Sequence, residues 1–412
     1  MRIRQAAILC GGLGTRLGSL TAQCPKPLLP VDGRPFLEIL SEELVRQGVD
    51  RILLLAAFES EQVRDFAATL PGRLEADIQV EVCIEPDRAG TGGALWHARE
   101  HLDETFFLLN GDSWFDVPLE RLAAALPADA AVAGVLGLRA LEDTGRFGVV
   151  RLEGEVITEF AARPEHPGAG LVNAGVYLFR RSILSALTPK GSLEQDALPG
   201  LARAGHLRGV PASGYFIDIG IPDDYARAQY EIPARRRRPA VFFDRDGVLN
   251  LDHGYIGQVE RFEWVPGARE AIRRVNQAGY YAFIVTNQAG IAKGHYDEAA
   301  YRVVRAHMRD ELAQIGAHID DERFAPDHPD GIVAAYRRVS DWRKPGPGML
   351  LDLLRRWPVD AAHSFLIGDQ PTDIQAAEAA GIPGHLFPGG NLDTFIAPLL
   401  AAHPTAQIEG ES

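Results

Sequence analysis

The chain has 412 residues and a formal net charge of -14, from 42 Lys+Arg against 56 Asp+Glu. Its 46% hydrophobic and 24% charged residues exclude a disordered or fibrous chain, and the acidic balance argues against general polyanion binding, which needs a broad basic surface. At roughly 100 to 200 residues per domain the length predicts two domains. No apolar run reaches the roughly 18 residues that span a bilayer, and the stretch after Met1 is too short for a signal peptide. A cytoplasmic protein without nucleic-acid or membrane partners is expected. Cys10, Cys24 and Cys83 form no CxxC pair and read as reduced, packed thiols.

In chain order, strand-like runs at 6–10, 51–57, 78–83, 105–112 and 130–138 alternate with amphipathic stretches such as 35–48. That alternation predicts a doubly wound α/β domain over residues 1–230. The core runs then stop, and the four arginines Arg235 to Arg238 predict a solvated basic linker over 231–239. Runs at 240–247, 280–288 and 364–370 start a second α/β domain over 240–403, followed by a frayed tail at 404–412.

The first run opens into "LCGGLGTRLGSLTAQCPKPLLPVDGRPFLE" (9–38). Gly11, Gly12 and Gly14 let backbone N–H groups approach an anion, with Arg16 and Lys26 adding positive charge nearby. The loop is neither GxxxxGK[ST] nor GxGxxG. Later segments of the same domain are "EPDRAGTGGAL" (85–95), "LLNGDSWFD" (108–116), "LVNAGVYLF" (171–179), "SLEQDAL" (192–198) and "GYFIDIGIPDDY" (214–225). Together these motifs resemble the sugar-1-phosphate nucleotidyltransferases, with a Rossmann-like mixed sheet. Within that superfamily they are most similar to the D-glycero-α-D-manno-heptose 1-phosphate guanylyltransferases.

The resemblance implies Mg²⁺ on Asp112 and Asp218, Arg16 and Lys26 at the phosphates, and the nucleotide against Gly11, Gly12, Gly14, Thr15, Glu85 and Gly90. Sugar contacts would fall to Arg163, Asn173 and Glu194. Glu85 favours GTP, because a carboxylate only accepts and guanine offers two adjacent donors. Arg163 departs from the family's Glu-Lys-Pro, since the sequence here reads Ala162-Arg163-Pro164.

In "AVFFDRDGVLN" (240–250), Asp244 and Asp246 stand two apart at the end of an apolar strand, so both can face one site. Thr286, Lys344 and Asp369 follow at intervals of 42, 58 and 25 residues, room for the crossovers of a parallel sheet. The set resembles the haloacid-dehalogenase-like phosphatases, and "TNQAGIAKGHYDE" (286–298) and "GDQPTDIQAAEAAGI" (368–382) resemble heptose 1,7-bisphosphate 7-phosphatases and, next to them, histidinol-phosphate phosphatases.

That resemblance implies Asp244 as nucleophile and Asp246 as general acid and base. Mg²⁺ would sit on Asp244, Asp369 and the Asp246 carbonyl with Asp373 in support, Thr286 and Lys344 would hold the transferring oxygens, and Asn287 and Arg343 would contact substrate. The relatives' zinc loop would fall in 322–345, which holds His328 but no cysteine, so no zinc is expected.

The partners implied are GTP, heptose 1-phosphate and heptose 1,7-bisphosphate; the sequence carries no signal of oligomeric state. The alternatives are the same two chemistries on hexose 1-phosphate and another monoester, or one catalytically silent, regulatory domain.

Overall fold

The computed structural model describes residues 3–12, 15–21, 24–57, 61–162, 166 and 168–402. Two compact units divide the chain, one ending at Ile232 and the other starting at Pro233.

The first unit is built on a mixed nine-stranded sheet. Its strand order is Gln79–Ile84, Arg51–Ala56, Gln5–Leu9, Thr105–Asn110, Gly170–Arg180, Gly134–Leu141, Leu207–Pro211, Val156–Ala161 and Val149–Glu153. Gln5–Leu9 pairs in parallel with both neighbours and is buried at every residue, as a central strand covered on both faces must be. Its side chains alternate, Ala6 and Ile8 into one apolar cluster and Ala7 and Leu9 into the other. The helix Phe36–Arg46 buries Phe36, Leu37, Leu40 and Leu44 at helical spacing.

The run expected at 130–138 becomes a strand only at Gly134. Asp129 claims the preceding residues for a turn, accepting from Ala131 N with its carboxylate and from Val132 N with its carbonyl. The sequence pattern missed Val149–Glu153, Val156–Ala161 and Leu207–Pro211, which lie towards the far edge of the sheet and carry no continuous apolar run.

The second unit holds a five-stranded, wholly parallel sheet in the order Asp321–Ala325, Tyr281–Asn287, Ala240–Phe243, Phe365–Gly368, Gly384–Leu386. Val241 and Phe243 face a cluster with the helices Ala268–Gln277 and Glu298–Gln314; Ala240 and Phe242 face one with Gly348–Arg356 and Pro371–Ala379.

The segment 231–239, expected as a solvated basic linker, is partly regular, and its arginines differ in exposure, Arg237 being exposed. The helix Pro222–Arg236 runs through Pro233 to its end, and Arg236 is buried. Arg238 then joins a parallel bridge to Val359, donating to Pro358 O at 3.1 Å and accepting from Asp360 N at 2.8 Å. No helix among the described residues is long and apolar enough to cross a membrane. The expected tail at 404–412 lies outside the described residues.

Candidate active sites

In the first unit a cleft of about 340 Å³ opens beyond the carboxyl ends of Gln5–Leu9 and Thr105–Asn110. Gly11, Gly12, Arg16, Lys26, Asp112, Glu194 and Asp218 all line it. Asp112 reaches it because Gly111 turns hard against the first strand. Gly111 N donates to Leu9 O at 3.0 Å, and a Cβ at Gly111 would lie 2.4 Å from that oxygen.

Asp218 ends the strand Phe216–Asp218, opposite Ser113. The Ser113 hydroxyl is 3.3 Å from a carboxylate oxygen of each aspartate. Lys26 Nζ stands between them, 2.6 Å from Asp112 Oδ2 and 3.8 Å from Asp218 Oδ1. Burial, then the Asp112 charge, raises the Asp218 carboxyl above its ordinary value, against the pull of Lys26 and Arg146. Two converging carboxylates, one of them disfavoured as an anion, fit a hard divalent cation.

Asn173 lies beside the cleft wall rather than in it. Its Nδ2 donates to Tyr177 Oη and to Glu194 Oε1, both at 2.7 Å. Between Asn173 and Tyr177 the strand bulges against Leu136–Leu138, and Glu194 sits in a single π turn, Leu193–Ala197. Burial raises the Glu194 carboxyl.

Glu85 follows the strand Gln79–Ile84 and is buried, with Oε2 lacking any hydrogen-bond partner. It faces the glycine turn: a Cβ at Gly11 would lie 3.9 Å from its Oε1. Burial raises this carboxyl too. Gly90 begins the helix Gly90–His97, and Thr15 begins the 3-10 segment that carries Arg16. Gly14 and Arg163 lie outside the described residues.

Sequence reasoning missed Asn110 and Tyr177 in the cleft wall, and Arg146, whose guanidinium is 2.6 Å from Asp224 and 3.7 Å from Asp218. Asn110 stands two before Asp112 at a strand end, a spacing that could have flagged it. Arg146 arrives from a distant loop with no local signal.

In the second unit Asp244, Thr286 and Asp369 gather at the carboxyl edge of three adjacent strands. Asp244 N donates to Ile367 O at 2.9 Å, so the pairing continues to the site. Lys344 Nζ is 2.9 Å from Asp244 Oδ1 and 2.6 Å from Asp373 Oδ1, and all three residues are buried. Burial, with Asp373 and Asp246 adding to it, lifts the Asp244 carboxyl to about 7 against the pull of Lys344.

Asp244, Asp369 and Asp373 each offer an oxygen within 4.8 Å of the others. Asp369 Oδ1 is buried without a hydrogen-bond partner. Gly247, at φ 86°, leaves the space in front: a Cβ there would be 2.3 Å from Asp369 Oδ2. This donor set fits a divalent cation.

Asp246 is held by Arg245 Nη2 at 2.8 and 3.0 Å, Asn250 Nδ2 at 3.0 Å and Gln288 Nε2 at 2.9 Å. Asn287 brackets the backbone of Lys344, donating to its carbonyl at 3.1 Å and accepting from its N–H at 3.0 Å. Arg343 has a buried Nη1 with no hydrogen-bond partner. His328 Nδ1 accepts from Asp330 N; desolvation and the charges of Arg343 and Lys293 lower the pKa of its imidazole. Arg245, Asn250 and Gln288 were missed, although all three lie within or beside the quoted motifs.

A nucleotidyl transferase family model matches residues 5–235, and a HAD-hydrolase-like model matches residues 341–408. A Rhodopseudomonas palustris protein named D-glycero-beta-D-manno-heptose-1,7-bisphosphate 7-phosphatase is 52% identical over 172 residues, 42% of this chain and 96% of that protein. The Escherichia coli K12 protein of that name is 41% identical over 144 residues, 35% of this chain and 75% of its own length. The crystal structure of HddC from Yersinia pseudotuberculosis, 30% identical, aligns over 56% of this chain and all of that one with a TM-score of 0.49. The chain belongs to the nucleotidyl transferase family and carries, fused to it, a haloacid-dehalogenase-like phosphatase related to the heptose-bisphosphate 7-phosphatases.

Proposed function

We propose that the chain removes the 7-phosphate of D-glycero-D-manno-heptose 1,7-bisphosphate and transfers GMP from GTP to the resulting heptose 1-phosphate, releasing pyrophosphate and GDP-heptose. The observation that carries this reading is 52% identity across 96% of a phosphatase named for the first substrate, in one chain with a transferase cleft of the family that joins sugar phosphates to nucleotides.

In the second unit Asp244 attacks phosphorus and becomes an aspartyl phosphate. Asp246 protonates the leaving oxygen and then takes a proton from the water that hydrolyses the intermediate. Thr286 and Lys344 stabilise the transferring oxygens, while Asn287 fixes the Lys344 backbone and Arg343 meets the sugar's other phosphate. Asp244, Asp369 and the Asp246 carbonyl, with Asp373 in support, would hold a magnesium ion, which would supply the charge neutralisation that lets one anion approach another. Cytoplasmic magnesium and substrate pools are the setting this chemistry suits.

In the first unit the sugar phosphate oxygen attacks the α-phosphorus of GTP in line with the departing pyrophosphate. The backbone at Gly11, Gly12, Gly14, Thr15 and Gly90 cradles the nucleotide. Arg16 faces the pyrophosphate and Lys26 the phosphates beside the reacting bond; Glu194 and Arg163 hold the sugar, with Asn173 orienting Glu194. Asp112 and Asp218 would hold a second magnesium ion, which screens the triphosphate.

Because Asp112 and Asp218 act as a pair, Asp112→Asn is expected to slow pyrophosphate release on the order of 10²- to 10³-fold while phosphate release stays at the wild-type rate. A coupled pyrophosphate assay reads the first and a phosphate assay the second; undiminished pyrophosphate release removes Asp112 from the site.

Glu85 decides the base. Its carboxylate, with Oε2 free of any hydrogen-bond partner, suits donation from the adjacent N1–H and amine of guanine, whereas an amide presents one donor and one acceptor, the pattern uracil matches. Glu85→Gln is expected to move the GTP-to-UTP ratio of kcat/KM towards UTP by on the order of 10²-fold. Pyrophosphate release with each triphosphate measures it, and an unchanged ratio would remove Glu85 from base recognition.

The whole reading is tested by incubating the purified chain with each anomer of heptose 1,7-bisphosphate, GTP and Mg²⁺, and following phosphate, pyrophosphate and nucleotide sugar. A preference for hexose phosphates over heptose phosphates in both reactions overturns it.

A further inference from the structure

Gln288 is 1% exposed and takes no part in the steps above. It follows the strand Tyr281–Asn287, and its backbone N–H donates to Ala325 O at 2.8 Å, which pins it to the end of the neighbouring strand. Its side-chain Nε2 lies 2.9 Å from Asp246 Oδ2 and 2.9 Å from Thr286 Oγ1. Its Oε1 accepts a hydrogen bond from the Tyr296 hydroxyl.

The amide has one permitted orientation. A carboxylate only accepts, so the NH₂ must face Asp246, and the carbonyl is left to the phenol, which donates. Burial pushes the Tyr296 hydroxyl up to about 12, so it keeps the proton it donates. The ring packs closely against two glycines, where any side chain would displace it. A Cβ at Gly257 would be 2.2 Å from Tyr296 Cγ, and one at Gly290 would be 2.3 Å from Cε1.

Thr286 inherits a direction from this arrangement. A hydroxyl has one proton; the Thr286 oxygen accepts from Gln288 and donates to no acceptor among the described residues. Its proton is therefore free for a phosphoryl oxygen. On Asp246, Arg245 reaches both oxygens, Asn250 holds Oδ1, and Gln288 adds a second donor at Oδ2.

We infer that Gln288, oriented by Tyr296, is a positioning residue for phosphoryl transfer, fixing the Asp246 carboxylate and the Thr286 hydroxyl through a single amide. This rests on the reading of Asp246 as the proton-transferring group and Thr286 as a phosphate ligand. Tyr296 acts only through Gln288, so the two substitutions must not add.

The experiment measures steady-state phosphate release from heptose 1,7-bisphosphate by the full chain carrying Gln288→Leu, Tyr296→Phe or both. Gln288→Leu is expected to lower kcat on the order of 10²-fold with KM nearly unchanged, and Tyr296→Phe about 10-fold. The double variant should match Gln288→Leu alone. Additive losses, or a loss that falls in KM, overturn the inference.

Where Gln288→Leu does not fold, Tyr296→Phe carries the test, because it removes one oxygen and leaves the ring in place. A lower kcat at constant KM supports the inference and an unchanged kcat overturns it. Asp246→Asn and Thr286→Ala are measured beside them. If those two are impaired while both Gln288→Leu and Tyr296→Phe are normal, the positioning role fails alone; if those two retain the wild-type rate, the underlying assignment of the phosphatase site fails.

Discussion

Asp244→Asn is expected to reduce phosphate release by on the order of 10⁴-fold or more, while pyrophosphate release from GTP and directly supplied heptose 1-phosphate continues at the wild-type rate. The substitution removes the attacking oxygen anion and changes little else. The amide has the carboxylate's shape, and Lys344 keeps its second partner, Asp373, at 2.6 Å. Loss of activity should therefore come without loss of the fold, which a thermal melt checks. Given heptose 1,7-bisphosphate and GTP together, the variant accumulates neither phosphate nor the sugar nucleotide that depends on it, and added heptose 1-phosphate restores the second product. Wild-type phosphate release by this variant would place the nucleophile elsewhere.

The parts of the site that stand at the ends of apolar runs and in recognisable motifs were legible; the contacts that depend on which loops and side chains the fold brings together were not. Asp244, Thr286 and Asp369 each sit at or just beyond the end of an apolar run, and a parallel sheet aligns such ends along one edge. The same reasoning found Gly11, Gly12 and Asp112 beyond two neighbouring strands. It could not find Arg146, which meets Asp218 across 72 residues, or show that Asn173 would bond Glu194 across 21, because each depends on which loops the sheet order brings together. Periodicity found the central parallel strands of both sheets, left Gly170–Arg180 to be flagged only as a motif, and missed Val149–Glu153, Val156–Ala161 and Leu207–Pro211, whose burial is incomplete. The arginines at 235–238 misled for a related reason. Composition reports what a segment would prefer in water, whereas Arg236 ends a helix and Arg238 a bridge to Val359, where backbone pairing decides.

Lys344→Met should destabilise the second unit in the absence of divalent metal more than an ordinary surface change, and magnesium should reverse much of that loss. Lys344 is 4% exposed, Asp244 8% and Asp373 1%, and the ammonium bridges both carboxylates. Methionine keeps most of the side chain's length and removes the charge, leaving two buried carboxylates with no counter-charge, of which Asp244, already raised to about 7 against the pull of Lys344, is driven to take up a proton when no metal is present. Breaking a buried pair by removing one partner costs roughly 3–5 kcal/mol, a fall of roughly 10 °C in Tm for a unit of this size. Magnesium at Asp244, Asp369 and Asp373 would supply the missing positive charge, so its addition should raise the Tm of the variant more than that of the wild type. Adding Asp373→Asn should recover stability in chelator, because it removes one of the two opposed charges. Neither rescue should restore catalysis: in the proposed mechanism the ammonium also stabilises the transferring oxygens, and phosphate release should stay down by on the order of 10²- to 10³-fold at saturating Mg²⁺. Melts in chelator and in Mg²⁺, paired with phosphate assays, separate the two roles. A Tm in chelator equal to the wild type would mean that the carboxylates are not both charged in the folded protein. A deficit that magnesium leaves untouched would mean that the cation does not bind between them.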